Sequence, residues 1–425
     1  MMVDLLIKNA RVIDPSQQLD KKCDIFISDG KIKDIAPSLS YNCDNIIEAD
    51  GLVAAPGLID LHVHLREPGF THKEDIISGS NAAAAGGVTT VVAMPNTKPV
   101  ADCPEIIEQI NDIASKAKVN VKQVGAITVG QAGERLTDFE ALKKAGVVAF
   151  SDDGVPVATA KLMHDALIKA DELNLPILAH CEEKTLSGKG KINLSDISEK
   201  LGIDGIPNAA EDVGTAREIC LADDTDTRVH ICHVSTRQSI AMIKSAKNNG
   251  VKVTCETCPH YFVFNEEKML LQDADYRMNP PLRSEKDRLA VIEGIKDGTI
   301  DVIATDHAPH SQEEKADFKN AMNGVVGMET SLSASITYLV KNNIIDLNRL
   351  IYMMSCKPAE ILGLKNIGTL KKDANADIVL FDLNEKWTVD TDKLHGKSKN
   401  AVFKGVELTG KVKYTVCNGN IVYKD

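Results

Sequence analysis

The sequence predicts an α/β chain, a (β/α)8 barrel joined to a small β-sandwich domain built from both termini. Three observations carry this. Between residues 55 and 364, short and nearly continuous apolar runs alternate with longer helix-like stretches, the pattern of parallel strands covered by helices. The strand-like runs number eight, the count that closes a barrel. No Gly-rich phosphate turn follows an early strand, as an open doubly wound sheet would normally require.

In chain order, residues 1–54 are short apolar runs broken by turn signals. Leu5-Leu6-Ile7, Val12-Ile13, Asp24 to Ile27 and Lys31 to Ile35 read as strands, with Ser28-Asp29-Gly30 as a hairpin turn. Barrel strands are expected at 58–64, 88–94, 122–129, 147–151, 175–180, 229–234, 251–256 and 301–305. Helices are expected over Glu105 to Lys118, Ala158 to Leu173, Ala210 to Leu221, Arg237 to Asn249, Glu285 to Lys296 and Met328 to Lys341. Residues 365–425 return to strand character at 376–382, 411–416 and 421–423, with Asn418-Gly419 as a tight turn. Neither end makes a core alone, so 1–54 and 365–425 are expected to form one small domain and 55–364 the barrel. Two long connections, Glu256 to Arg283 and His307 to Gly327, are natural covers, and the second is expected to order over bound substrate.

Composition narrows the function. A net charge of −12 argues against nucleic acid and anionic membranes as partners, yet leaves room for a small anionic substrate if a metal or a few basic groups reverse the sign locally. Ten cysteines without regular spacing are no disulfide framework, and the lone pair Cys255 and Cys258 reads as packed thiols. The N-terminus lacks a signal-peptide apolar core, and no apolar run approaches the ~20 residues of a membrane span, so a cytoplasmic location is expected.

Polar residues gather at one end of the strands. His62 and His64 lie two apart, so both project from the same strand face. Side-by-side imidazoles in an apolar setting suit a divalent metal such as Zn²⁺. Arg66 follows them, Asn96 follows the second strand, Ser151-Asp152-Asp153 the fourth, His180 the fifth, His233 the sixth and Thr305-Asp306-His307 the eighth. Each has an ordinary structural reading alone: a turn, a strand cap, a helix N-cap. Together, four histidines and two aspartates on the rim where barrels keep their active sites indicate a metal centre. Imidazole and carboxylate donors in this number suit two ions bridged by a carboxylate, with positions left open for water.

The motifs Gly57-x-x-Asp60-x-His62-x-His64, Arg66-Glu67-Pro68-Gly69, Met94-Pro95-Asn96-Thr97, Asn279-Pro280-Pro281-Leu282-Arg283 and Thr305-Asp306-His307-Ala308-Pro309-His310 extend across the chain. They resemble dihydroorotases of the long bacterial type, in the amidohydrolase superfamily. The resemblance implies a TIM-like metal-dependent hydrolase barrel and the reversible interconversion of N-carbamoyl-L-aspartate and L-dihydroorotate in de novo pyrimidine (UMP) synthesis. It assigns His62, His64 and Asp306 to one metal, His180 and His233 to the second, and Asp153 as the bridge between two Zn²⁺ per subunit. Most amidohydrolases of this layout bridge with a carboxylated lysine. Residues 147–153 contain none, which weakens the hydantoinase, dihydropyrimidinase and allantoinase alternatives. Asp306 is implied as general base and acid. Arg66, Asn96 and His310 would hold the substrate carboxylate, and Asn279 with the backbone near Asn323 and Gly324 would meet the ureido edge. A homodimer is implied, and association with aspartate transcarbamoylase is raised. A catalytically inactive relative serving as a scaffold for that enzyme would lack metal ligands, whereas this chain has the set.

Overall fold

A computed structural model describes residues 4–425. Eight parallel strands run in chain order around the barrel: Leu58–Val63, Val88–Ala93, Asn120–Ala126, Ala149–Ser151, Ile177–Ala179, Val229–Ile231, Val253–Thr257 and Val302–Ile303. The eighth is tied back to the first, where Val63 pairs with His307 and the His64 N–H donates to the His307 carbonyl at 2.7 Å. The first two strands are buried at every residue, as strands covered on both faces must be, which is why they read as unbroken apolar runs.

Six of the covering helices fall where the spacing predicts them, from Pro104–Ala114 to Glu285–Asp297 and the stretch beginning at Ser331, which runs from α into π geometry at Ile336–Val340. Two others, Ile76–Ala85 and Phe139–Ala145, carry no clear sequence signal. The first is rich in Ala, Gly and Ser and buried on most sides, so no polar stripe marks its period. Its start is fixed by Asp75, whose side chain accepts from the Ser78 N–H. An excursion after the fifth strand is also unforeseen. It carries the short helices Lys184–Ser187 and Asp196–Leu201, and pairs Ile192–Asn193 with Gly205–Ile206.

Strands from both ends of the chain share one eight-stranded mixed sheet, in which Val53–Pro56 lies between Leu5–Asp14 and Ile378–Thr388. Period-two alternation divides its contacts. Ile378 and Leu380 join Ile7, Ile25 and Ile27 in a core of their own, while Val379 and Phe381 face the barrel and merge with its core. Burying each of these large side chains is worth about 1.5–3 kcal/mol, so the sheet is fastened to the barrel by packing. The strands Ile378–Thr388 and Glu407–Cys417 are joined by a long excursion, 389–406, that leaves the sheet and reaches the barrel's C-terminal rim. Cys255 and Cys258 are buried free thiols. Among the described residues no helix is long and apolar enough to cross a membrane.

Candidate metal centre and binding pocket

The six rim residues converge. Asp153 Oδ1 lies 3.3 Å from His62 Nε2, 3.4 Å from His180 Nδ1 and 3.5 Å from His233 Nε2, and its Oδ2 lies 3.4 Å from His64 Nε2. One carboxylate therefore faces all four imidazoles. Asp306 Oδ1 approaches His64 Nε2 at 3.1 Å and His62 Nε2 at 3.6 Å, so it belongs to the first histidine pair. Asp152 points the other way, as alternation along a strand demands, and accepts from the backbone N–H groups of Ile127 and Thr128.

This arrangement fits a cation. His62 Nε2 and Asp153 Oδ1 are buried without a hydrogen-bond partner, a condition costing about 1–3 kcal/mol per group. His180 Nδ1 and His233 Nε2 confront each other at 2.9 Å. Burial pushes the Asp153 carboxyl up, but the facing His62, His180 and His233 outweigh it and hold it well below the usual carboxylate range. Burial likewise opposes the His180 imidazolium, yet Asp153 and Glu182 raise its pKa to about 9. The raised His180 pKa marks the negative field of Asp153 and Glu182, which favours positive charge, and the lowered Asp153 pKa keeps that carboxylate anionic. Imidazole and carboxylate donors without thiolate suit Zn²⁺ and its divalent neighbours.

The candidate ligands are oriented from behind. Asn96 Oδ1 sits 2.9 Å from His64 Nδ1, so the proton belongs on Nδ1 and Nε2 is left bare toward the centre. Glu256, fully buried at the end of the seventh strand, does the same for His62 at 2.8 Å and reaches His230 Nε2 at 3.2 Å. Glu182 lies 3.0 Å from His180 Nε2 and also accepts from Asn279 Nδ2 at 3.3 Å. Asp60 ties the first strand to the eighth, accepting from the Thr305 hydroxyl at 2.5 Å and the Thr305 N–H at 3.1 Å. Glu256 and Glu182 are legible in the sequence only as charged residues beside apolar strand residues, whereas Asp60 falls within the motif Gly57-x-x-Asp60-x-His62-x-His64. His233, Asp306 and Arg66 hold φ values of 37°, 47° and 63°, a left-handed conformation that non-glycine residues adopt rarely and mostly at functional positions.

Above the centre lies a cavity of about 840 Å³ whose walls include Arg66, Asn96, Asn279, His310, Asn323 and Gly324. Lys73, Lys189, Lys191 and Arg277 also border it, giving a cationic wall in a chain of net charge −12. Arg66 Nε donates to the Pro309 carbonyl at 3.1 Å, and its Nη2 lies 3.3 Å from His310 Nε2. Burial lowers the Arg66 pKa to about 10 against the pull of Asp306 and Glu314, so the guanidinium stays charged. Burial and the neighbouring Arg66 and Lys73 lower His310 to about 3, leaving a neutral ring. The Asn323 side chain is turned away to Arg277 Nη2 at 2.9 Å, its carbonyl lies 3.0 Å from His310 Nε2, and the Gly324 N–H donates to the Arg277 carbonyl at 2.9 Å. Gly324 has φ +148°, and a Cβ there would fall 2.6 Å from the Ala308 carbonyl oxygen, which excludes other residues. A second cavity of about 960 Å³, beside Trp387 and Tyr423, contains none of the metal-centre residues.

A family profile described as Dihydro-orotase-like matches residues 51–239, and one described as Amidohydrolase family matches 278–423. A dihydroorotase of Geobacter metallireducens is 48% identical over 425 residues, covering 99% of this chain and 100% of its own. That of Clostridioides difficile is 47% identical over 421 residues, covering 99% of each. Among solved structures, an L-hydantoinase (dihydropyrimidinase) from Arthrobacter aurescens superposes with a TM-score of 0.90 at 25% identity, covering 100% of this chain and 96% of its own. A dihydropyrimidinase from Brevibacillus agri gives a TM-score of 0.86 at 25% identity over 99% and 95% of the two chains.

Proposed function

The chain belongs to the dihydroorotase family of amidohydrolases, and from that premise we infer how its residues carry the reversible cyclisation of N-carbamoyl-L-aspartate to L-dihydroorotate. The observation that supports the assignment most directly is the Asp153 carboxylate facing both histidine pairs. His62, His64 and Asp306 would hold one divalent cation and His180 and His233 a second, with Asp153 shared and Zn²⁺ the ion the donors favour. When bound, such a pair activates water at neutral pH and polarises an amide oxygen.

Asp306 moves the proton. Burial raises its pKa, but His62 and His64 outweigh that and keep it ionised, ready to accept. In ring opening, the oxygen of water bonds to the amide carbon and the C–N bond breaks. Asp306 takes the proton released and delivers it to the departing nitrogen. In ring closure the ureido nitrogen gives its proton to Asp306 as the C–N bond forms, and that proton, with a second from solvent, goes to the departing carboxylate oxygen, which leaves as water. Arg66, with Asn96 and His310 beside it, binds the substrate carboxylate, for which a planar guanidinium fork is suited. Asn279 and the backbone at Asn323 and Gly324 meet the ureido edge.

The absence of lysine over residues 147–153 sets this site apart from a carboxylated-lysine bridge. The test combines metal analysis with an assay of carbamoyl-aspartate cyclisation against hydantoin and dihydrouracil hydrolysis. Turnover of the anionic pair, dependent on two equivalents of metal, is expected. Activity confined to the uncharged rings would remove the role given to Arg66 and His310.

A further inference from the structure

Asn400 stands outside every motif that defines the site, 90 residues beyond His310, the last residue of those motifs. It lies in the excursion 389–406, which the small sheet sends to the barrel rim, and it is buried at 4% exposure. Its Oδ1 accepts from the His310 N–H at 3.2 Å. Its Nδ2 donates to the Gly324 carbonyl at 3.0 Å and to the Ala308 carbonyl at 3.4 Å. Its own carbonyl accepts from the Val326 N–H at 3.0 Å. Two carbonyls on one side and an N–H on the other fix which way the amide faces. Every one of these partners belongs to the connection after the eighth strand, and two of them, His310 and Gly324, border the binding cavity.

We propose that Asn400 is a positioning residue that clamps His310 to Gly324 and so sets the spacing between the groups that meet the substrate's carboxylate and its ureido edge. The clamp is needed because Gly324 approaches His310 too closely for any side chain, with a Cβ there falling 2.8 Å from His310 Cδ2. On one side the approach is held by the Asn323 carbonyl, 3.0 Å from His310 Nε2, and by the Gly324 N–H donating to the Arg277 carbonyl at 2.9 Å. Asn400 ties it from a third segment, so the small β sheet contributes to substrate recognition without touching substrate. Only asparagine supplies one acceptor and two donors in a side chain this short.

This inference rests on the assignment of His310 and Gly324 to substrate contact, and the experiment separates the two. N400A, H310A and a control, K399A, are compared in steady-state kinetics in both directions, with metal content and melting temperature measured on each. Lys399 Nζ donates to the Leu394 and Gly396 carbonyls within the same excursion and touches nothing in the cavity. N400A is expected to raise KM about tenfold or more in both directions while kcat stays within about threefold, because binding geometry is lost and the reacting groups are intact. K399A is expected to leave KM unchanged. A folded, metal-loaded N400A with normal KM beside an H310A with raised KM overturns the inference alone. An H310A with normal KM overturns the substrate assignment and the inference with it. Should N400A fail to fold, N400S, which keeps a hydroxyl at the site, is read by the same criterion.

Discussion

Removing the Glu256 carboxylate should weaken one of the two metal equivalents and spare the other. Glu256 is fully buried, with Oε1 2.8 Å from His62 Nδ1 and Oε2 3.2 Å from His230 Nε2. His230 is in turn 2.9 Å from Thr254 Oγ1, so the chain of contacts ends in the wall of the barrel. Burial alone would raise the Glu256 pKa, but hydrogen bonding to His230 and His62 lowers it below the carboxylate range, so it is a full negative charge behind the ligand. In E256A the His62 N–H loses its acceptor, the ring loses its fixed tautomer, and its Nε2 becomes a poorer donor. Loss of such an outer partner typically weakens metal binding about 10–100-fold, equivalent to roughly 1.4–2.7 kcal/mol. E256Q keeps an acceptor without the charge, so its loss should fall at the low end of that range. His180 is oriented by Glu182 rather than Glu256, so the second equivalent should be unaffected.

The assay is titration of the metal-free protein with Zn²⁺ against a chromophoric chelator, repeated with Co²⁺ to follow absorption from each site. The wild type should fill two sites. E256A should fill one with unchanged affinity and the other about 10–100-fold more weakly. Two unchanged equivalents would refute the orienting role of Glu256. Equal weakening of both would refute the partition of ligands into a His62–His64 set and a His180–His233 set.

D306N should lower kcat by about 10²–10⁴-fold, the usual loss when a positioned acid–base group is removed, with KM nearly unchanged when both metals are confirmed by analysis. A kcat within a few-fold of wild type would transfer the proton role to another group. R66M keeps an unbranched apolar stem but loses the guanidinium. The loss of a charge-assisted contact of about 1.5–3 kcal/mol should raise KM for dihydroorotate roughly 10–150-fold, and an unchanged KM would place the substrate carboxylate elsewhere. Lys315 donates to the Arg277 and Met322 carbonyls at 3.1 and 3.0 Å, and burial lowers its pKa to about 7 against the pull of Asp275. Unfolded, the same group keeps its proton to about pH 10.4. Between these values the unfolded chain binds more protons than the folded one, so this group makes stability rise with pH. The melting temperature of wild type relative to K315M should therefore climb from pH 7 to pH 10, and a constant difference would mean that Lys315 stays charged in the fold.

Why some of this was legible in the sequence and some was not follows from how far apart the cooperating residues stand. The candidate metal ligands are readable because a parallel barrel makes strand ends equivalent. His62, Asp153, His180, His233 and Asp306 need no contact information beyond the rule that each ends a strand. The choice of Asp153 over Asp152 was decided by resemblance, and the alternation of strand side chains gives the same answer in the structure, since Asp152 turns outward to Thr128. What stayed hidden acts through contact between segments with no common period. Glu256 gains its role from lying across the barrel from His62, 194 residues away, and nothing local to it distinguishes a buried hydrogen-bonded acid from a solvated one. Asn400 is more extreme, because the segment that carries it reads as an ordinary polar connection between two strands. Its three side-chain bonds all go to one loop of another part of the fold. The helix Ile76–Ala85 fails for a different reason, since a helix buried on most sides loses the amphipathic stripe by which helices are read. Chemistry is therefore written in residue type at equivalent positions, whereas the precision of the site is written in long-range contacts that only the folded chain brings together.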